Sequence, residues 1–287
     1  MAKKRYVKKK QFNREPEFRR KTQTRNYLIL IFIIAVFLLA KGRYSSAPPA
    51  SDVDFGTIDS PAAEQHVPVS GEPSPQSSHS SDLSIDLADI PDYEGRPTYV
   101  LNGNKPYFTD ADYERAKETY IHLSELDSLG RCGVCEVSLG EDTLAGERDF
   151  DLSHVKPSGW KQARYQGVVD NGGWLYNRCH LIMYAVSGLT DDPRNLVTGT
   201  RYMNNDGMLA YSENAVQNWI IRKSNGGRVL YRVEPIFKDS ELVCRGVHIQ
   251  AGDVESKGSN FHINVFCYNV QPGVKIDYMT GYSMLDN

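Results

Sequence analysis

At 287 residues, the chain is long enough for one large domain or two small ones. Its formal net charge of −3 is unevenly distributed, because residues 1–26 contain eleven basic and only two acidic residues, a net charge of +9. The sequence has neither a GxxxxGKS/T phosphate loop nor an HExxH motif, which argues against nucleoside-triphosphate hydrolysis and zinc-dependent proteolysis.

The first predicted element is the uncharged apolar run of residues 27–40, which follows the basic segment. A helix of this length spans about 21 Å, short of the roughly 30 Å of a membrane hydrocarbon core, so it suits a signal peptide as well as a short anchor. The nearest small-residue cleavage site, residues 45–47, is followed directly by Pro48. We expect an uncleaved single-pass signal-anchor in the cell membrane, with residues 1–26 in the cytoplasm and the remainder extracellular. Secretion after cleavage is the alternative.

Residues 41–91 are rich in Ser, Pro, Ala and Asp, as in the stretch GEPSPQSSHSSD. Such a composition cannot bury enough apolar surface to offset the entropy lost on ordering. We predict a disordered linker that lets a domain of residues 92–287 reach away from the membrane.

Apolar runs separated by turn signals recur from residue 92 onward. The stretch TYVLNGNKPYF predicts a strand and a turn. Residues 110–130 have helical spacing, because four apolar side chains fall on one face: Tyr113, Ala116, Tyr120 and Leu123.

A second helix is predicted within residues 195–224, where Ala215, Trp219 and Ile220 suggest an amphipathic segment. The C-terminal third predicts a meander of short strands, GRVLYRVEPIF, ELVCRGVHIQAG and FHINVFCYNV. Together these elements indicate an α+β fold with a central antiparallel sheet flanked by helices.

The five cysteines form no clear functional pattern: Cys132, Cys135, Cys179, Cys244 and Cys267. Outside the cytoplasm, Cys132 and Cys135 could form a disulfide, although an odd total leaves at least one thiol over. A zinc site would need a second ligand pair of similar spacing, which the chain lacks. We interpret the CGVC stretch as structural or incidental.

The stretch GWLYNRCHLIMY places Asn177, Arg178 and His180 between an aromatic and an apolar run. An uncompensated buried polar group costs roughly 1–3 kcal/mol, so these side chains are either a hydrogen-bonded structural cluster or a reaction centre.

Several separated stretches in the same order favour the reaction centre, namely KPSGW, NRCHLI, NLVTGTRYMN and YNVQPGV. Over residues 95–283 they resemble the DNA/RNA non-specific endonuclease family of the His-Me finger, or ββα-metal, class. Within that class the chain is similar to streptodornase-type secreted DNases and membrane-bound DNA-entry nucleases. The resemblance implies a ββα-metal nuclease fold.

The resemblance also implies roles by position. His180 would be the general base, Asn204 the metal ligand, and Glu213 an acidic residue near the attacking water and leaving group. Arg178 would orient the site or hold a phosphate. Asn177 and Asn195 would support the site structurally, and three basic residues would bind nucleic acid: Lys161, Arg164 and Arg201.

Structural roles are the alternatives for several of these residues. Asn195 and Asn204 also suit turns or helix caps, Arg201 a surface ion pair, and Glu213 the first turn of a helix. The family hallmark DRGH reads NRCH here, with Asn177 in place of Asp and Cys179 in place of Gly. The amide of Asn177 can still accept a hydrogen bond. Because NRCH resembles a form of the motif in the streptodornase group, neither change predicts an inactive enzyme.

The residue types suit phosphodiester hydrolysis. A neutral imidazole, with a pKa near 6.5, can accept a proton close to neutral pH. An amide oxygen suits Mg²⁺, a hard ion that binds through few protein groups, and Mn²⁺ could replace it. No small-molecule cofactor is expected.

The charge balance is unusual for a nucleic-acid-binding protein, since residues 92–287 carry 20 basic and 26 acidic residues. Six basic residues nevertheless lie close to the motif in sequence: Lys156, Lys161, Arg164, Arg178, Arg194 and Arg201. Binding should therefore depend on a small basic cleft and weaken steeply with salt.

We therefore expect an extracytoplasmic, Mg²⁺-dependent endonuclease that cuts DNA and RNA with little sequence preference. One alternative is a receptor with a nuclease fold that holds DNA with little turnover. Another is an antibacterial nuclease toxin, which would normally have a delivery module.

Overall fold

The computed structural model describes residues 84–147, 149–223 and 227–286. The predicted basic segment, residues 1–26, and apolar run, residues 27–40, lie outside them, as does most of the predicted linker. Within the described ranges, no helix has the length and apolar character needed to cross a membrane.

A six-stranded antiparallel sheet forms the centre of the domain, with strand order β1-β8-β7-β6-β3-β2. Its strands, in chain order, are β1 (Thr98–Val100), β2 (Ile121–Leu123), β3 (Cys135–Leu139), β6 (Val229–Ile236), β7 (Gly246–Asp253) and β8 (His262–Tyr268). The predicted C-terminal meander corresponds to β6, β7 and β8. The expected α+β class with a central antiparallel sheet is confirmed.

Alternation along these strands gives the sheet two different faces. In one row across the sheet, Val137, Tyr231 and Ala251 pair in register, and all three belong to the main hydrophobic core. The adjacent row carries Glu136, which pairs with Arg232 on the opposite face. The apolar face therefore packs against helical residues between 203 and 220, whereas the other face buries polar groups and contacts the helix at residues 110–115.

The prediction of one helix over residues 110–130 is wrong, because the helix ends at Arg115. Helix α1 covers Asp110–Arg115, where Thr109 and Asp112 form a capping box, and Tyr113 is buried. Residues Ile121–Leu123 instead form β2, which pairs with β3. Backbone pairing with the sheet thus overrides the helical spacing of the apolar side chains.

A second unit lies on the apolar face. It is a two-stranded antiparallel sheet of β4 (Tyr176–His180) and β5 (Leu196–Thr200), followed by a π-helix, Met203–Glu213, and helix α3, Asn214–Arg222. Val216 and Ile220 of α3 are buried in the main core. The predicted amphipathic helix is therefore present.

The remaining elements are short. Helix α2 (Tyr184–Ser187) lies between β4 and β5, and strands β9 (Val274–Ile276) and β10 (Ser283–Leu285) form a C-terminal hairpin. Short 3-10 turns occur at Leu87–Asp89, Asn102–Asn104, Glu141–Thr143, Asn171–Gly173 and Pro193–Asn195.

The packed domain begins earlier than the composition suggests. Residues 84–91, assigned to the linker on composition, include three apolar side chains that pack against the cluster around Phe266: Ile85, Leu87 and Ile90. Burial of these side chains offsets the cost of ordering this part of the segment.

Candidate active site

A cavity of about 720 Å³ collects most of the polar side chains that the sequence singles out. It lies where β4 and the helix after β5 meet. Six predicted site residues line it: Asn177, Arg178, His180, Arg201, Asn204 and Glu213. The fold thus brings together groups that are up to 36 positions apart in the chain.

His180 is the last residue of β4, and neighbouring groups hold its ring in place. Its Nε2 lies 2.6 Å from the carbonyl oxygen of Thr190, which can only accept, so Nε2 carries the proton. In neutral imidazole, Nδ1 is then the proton acceptor. Phe150 packs edge-on against the ring, with 6.0 Å between centroids. The surroundings therefore select the tautomer whose Nδ1 can act as a base.

Asn204 and Glu213 come from one helix, whose winding decides whether they share a face. The N–H of Asn214 bonds to the carbonyl of Leu209, five residues earlier, as expected for a π-helix. In an α-helix, nine residues turn through about 900°, which would place the two side chains on opposite sides. With about 4.4 residues per π-helical turn, nine residues complete about two turns, and both side chains line the cavity.

Burial raises the pKa of Glu213 to about 8. The cause is desolvation, which disfavours the charged carboxylate. A cation close to this carboxyl group would have the opposite effect and favour its ionised form. The protonation of Glu213 should therefore respond to whatever charge enters the cavity.

Two buried nitrogen atoms of the cavity wall, Asn177 Nδ2 and Arg201 Nε, have no hydrogen-bond partner among the residues that the structure describes. Such an unmet donor costs about 1–3 kcal/mol, so it marks a place where a ligand could supply the acceptor. Phosphate oxygens are suitable acceptors for both groups.

Arg178 organises the loop beside the cavity. Its Nε donates to the carbonyl of Val155, and a terminal nitrogen donates to the carbonyl of Ser153 at 3.0 Å. The guanidinium carbon also lies 4.2 Å from the centroid of the Trp160 ring. Arg178 therefore fixes the cavity wall as well as placing positive charge in it.

Asn195 lies beneath the cavity rather than in its wall, and it is fully buried. Its Oδ1 accepts from the N–H of Ile182 at 2.8 Å, and its Nδ2 donates to the carbonyl of the same residue at 3.0 Å. Lys161 and Arg164 also lie outside the lining, at exposed positions of the segment that follows Trp160.

The family described as DNA/RNA non-specific endonuclease matches residues 110–255, just over half of the chain. The protein belongs to this endonuclease family. It is therefore a hydrolytic nuclease, and its substrates are nucleic acids.

Two solved structures of one nuclease share the fold. NucA from Streptococcus agalactiae with magnesium ion bound is 23% identical, with a TM-score of 0.56 over 70% of this chain and 92% of that one. The same protein with no metal bound is 24% identical, with a TM-score of 0.54 and the same coverage. The Sda1 nuclease with bound zinc ion is 28% identical over 58% of this chain and 80% of that one, with a TM-score of 0.49.

Cys179, which stands where the endonuclease hallmark has Gly, is accommodated by a glycine on the adjacent strand. It is fully buried, and a Cβ on Gly199 of the adjacent strand would lie only 2.4 Å from its Sγ. Gly199 thus provides the volume that Cys179 fills. Burial also raises the pKa of the Cys179 thiol, which remains neutral.

The donor set suits a hard divalent cation. Asn204 uses its Nδ2 to bond Asn205 Oδ1 at 3.0 Å, which leaves the Asn204 amide oxygen, a suitable donor atom for such an ion, for other contacts. Glu213 adds a carboxyl group to the same cavity. Across the described ranges there is no group of three or more His, Cys, Asp and Glu residues that could hold a metal. A cation here would depend on the amide and few other protein groups.

Several cavity residues were not predicted as functional, among them Phe150, Trp160 and Gln162. Trp160 and Gln162 line the wall, and Phe150 contacts the His180 ring. Trp160 lies in KPSGW, one of the stretches that carry the family resemblance, but no functional role was predicted for it. Phe150 lies 30 residues before His180, and nothing in its local sequence indicates the contact.

Proposed function

We propose that this nuclease is a Mg²⁺-dependent endonuclease that cleaves DNA and RNA without sequence preference, with Mn²⁺ as a substitute ion. The observation that carries the proposal is the convergence of His180, Asn204 and Glu213 on one cavity that also contains unpaired donors. The same arrangement argues against a receptor with little turnover, because a binding surface has no need of an oriented base.

His180 acts as the general base in this proposal. The carbonyl of Thr190 holds the Nε2 proton, so Nδ1 takes the proton from the attacking water. The same bond stabilises the imidazolium that results, since the Nε2–H donor strengthens when the ring is charged. The base is therefore both oriented and electrostatically supported.

The phosphate is held by the cavity wall. Asn177 and Arg201 donate their unpaired N–H groups to non-bridging oxygens, and Arg178 adds positive charge from β4. Donors that are already in position stabilise the charge that develops on phosphate without reorganising. Asn177 would then have a binding role in addition to the structural role that the sequence suggested.

Asn204 would hold the divalent ion through its amide oxygen, and Glu213 would lie close to the ion and the leaving oxygen. When bound, Mg²⁺ supplies Lewis-acid stabilisation of the negative charge on the phosphate. Few protein groups are available to bind the ion. This agrees with Mg²⁺, which retains several of its waters when bound to proteins.

Relaxation of supercoiled plasmid tests this function. The full-length protein should convert plasmid to nicked and linear forms with Mg²⁺, and should degrade a structured RNA under the same conditions. EDTA should abolish both activities, and added Mn²⁺ should restore them. Plasmid binding without strand cleavage in Mg²⁺ and in Mn²⁺ would instead support the receptor alternative.

We further propose that residues 27–40 anchor the enzyme in the cell membrane, with the nuclease domain outside. The support is the position of the positive charge, which precedes the apolar run. Protease added to intact cells should cut within residues 41–83 and release an active fragment. A soluble protein in the culture medium that already begins near residue 48 would show cleavage and secretion instead.

A further inference from the structure

Two exposed aromatic side chains, each covered by a cation, lie beside the cavity. The Lys161 ammonium is 5.3 Å from the centroid of the Tyr282 ring, and the Arg164 guanidinium carbon is 5.3 Å from that of Trp174. Tyr282 remains 62% exposed and Trp174 49% exposed. We call these four residues, Lys161, Arg164, Trp174 and Tyr282, the outer platform.

Hydrogen bonds fix the position of the outer platform. Arg164 pairs with Trp174 as an antiparallel bridge, and Arg164 Nε donates to the carbonyl of Gly172 at 2.7 Å. Tyr165 bonds through its hydroxyl to Ser283 Oγ at 2.7 Å, which ties this segment to β10 next to Tyr282. The exposed rings are thus presented by paired backbone.

The outer platform continues the wall of the cavity. Trp160 lines the cavity and directly precedes Lys161 in the chain, and Tyr176, which also lines it, donates its hydroxyl to the carbonyl of Gly281, the residue before Tyr282. Arg178 stacks on Trp160 in the cavity wall, so a third cation–aromatic pair lies next to Lys161 in the chain. A strand whose phosphate lies in the cavity would reach the platform with its neighbouring nucleotides.

The chemistry of the outer platform matches unpaired nucleotides. Exposed aromatic rings stack on bases, and adjacent Lys and Arg attract the phosphate backbone. In a duplex the base faces are already stacked on one another, so only the phosphates remain available. Residues 92–287 are acidic overall, so the positive charge of the outer platform is a local feature of the surface that attracts a polyanion.

We propose that the outer platform binds unpaired bases of the strand that leaves the cavity, so that single-stranded DNA and RNA are cleaved with contacts that a duplex cannot make. The proposal rests on the proposed nuclease function of the adjacent cavity. It assigns Trp174 and Tyr282 as determinants of substrate preference that neither contact the scissile phosphate nor hold the metal.

Cleavage kinetics on paired substrates test the proposal. With the full-length enzyme and Mg²⁺, kcat/KM is measured on one 20-nucleotide single strand and on its duplex. Trp174→Ala and Tyr282→Ala should each lower the single-strand value by about 5-fold or more, and the duplex value by less than about 2-fold. Trp174→Phe, which keeps a ring, should retain most of the single-strand activity.

The matched control is Tyr99→Ala, because Tyr99 is a 40% exposed aromatic on the edge strand β1. It should leave both substrates unchanged. An abasic version of the single strand provides a substrate-side control, since it keeps the phosphates and lacks the bases. Trp174→Ala should have little further effect on it.

Other outcomes would overturn the proposal. Equal losses on single strand and duplex would show a general effect on binding or folding, and unchanged rates would show no role for the rings. Exposed aromatics with cations also suit an anionic lipid surface. If Trp174→Ala abolished binding to phosphatidylglycerol vesicles but not single-strand cleavage, the surface would be a membrane contact.

A binding measurement separates this proposal from the nuclease function. In a His180→Ala background, fluorescence anisotropy of a labelled 12-nucleotide single strand should still report binding that Trp174→Ala weakens by about 5-fold or more. If the wild type cleaved neither substrate, the proposed function would fail. The anisotropy would then still decide whether the platform binds unpaired bases.

Discussion

At the scale of single residues, replacement of His180 gives the most direct test of the proposed general base. His180→Ala removes the base but leaves the basic groups that bind phosphate. We expect plasmid cleavage to fall by about 100-fold or more, as is typical on loss of a general base, while DNA binding survives. His122→Ala, on the exposed part of β2, is the control. A His180→Ala enzyme that retained more than a few per cent of the rate would contradict the assignment.

Asn204 separates a metal ligand from a helix-capping residue. If Asn204 is the main direct protein ligand of the metal, Asn204→Ala should leave the melting temperature unchanged and greatly reduce Mg²⁺-dependent cleavage. Asn204→Asp adds a charge, so it should shift metal preference and keep some activity with Mn²⁺. Asn218→Ala, at an exposed position of α3, controls for the loss of an amide. A capping Asn would instead lose about 1 kcal/mol of stability in the Ala variant with normal activity.

Glu213 predicts a pH dependence of stability. Its pKa is raised to about 8 in the folded protein, whereas an exposed Glu titrates near 4.3. The folded state therefore binds more protons between these values, and the free energy of unfolding should fall as pH rises from about 5 to 8. The measurement is a series of thermal melts in EDTA.

Glu213→Gln, which cannot ionise, should remove most of this dependence, and saturating Mg²⁺ should reduce it in the wild type by favouring the carboxylate. Identical slopes for wild type and Glu213→Gln in EDTA would mean that the carboxyl group is not desolvated as the fold suggests.

At the scale of elements, the meander was predictable because alternation of apolar residues is local and matches the sheet. The strand after α1 was not predictable. Ile121 forms a strand because it pairs with Val137 of β3, and local spacing cannot reveal this partner. The candidate site was predictable only in part. Sequence supplied Asn204 and Glu213, but the π-helical winding that puts them on one face depends on the packing of the whole helix.

The contact between β4 and β5 predicts a coupled pair of mutations. Gly199→Ala should lower the free energy of unfolding by about 1–3 kcal/mol, because its Cβ would meet Cys179 Sγ at 2.4 Å and Met203 Cε at 2.5 Å. In a Cys179→Ala background the sulfur is gone, so the same change should cost less. Denaturant melts of the four proteins give the coupling energy. Additive losses would show that Cys179 does not fill the space at Gly199.

At the scale of the whole molecule, an acidic domain must bind an acidic substrate through a local surface. Residues 92–287 carry six more acidic than basic residues, so overall charge repels nucleic acid, and attraction depends on the residues around the cavity. Lys161 and Arg164 extend that positive surface beyond the cavity. The salt dependence of the affinity should therefore reflect only the phosphate contacts of this local surface, because its slope scales with the number of such contacts.

Salt dependence tests this arrangement with the His180→Ala protein as a non-cleaving binder. The logarithm of its affinity for duplex DNA should fall linearly with the logarithm of KCl concentration, since each phosphate contact releases about one counterion. Lys161→Gln and Arg164→Gln should each lower the slope by about 1 and weaken binding similarly for unrelated sequences. Lys105→Gln, an exposed lysine outside the cavity lining, should leave the slope unchanged. If the two platform variants kept the wild-type slope, Lys161 and Arg164 would not contact phosphate, and the positive surface would be confined to the cavity itself.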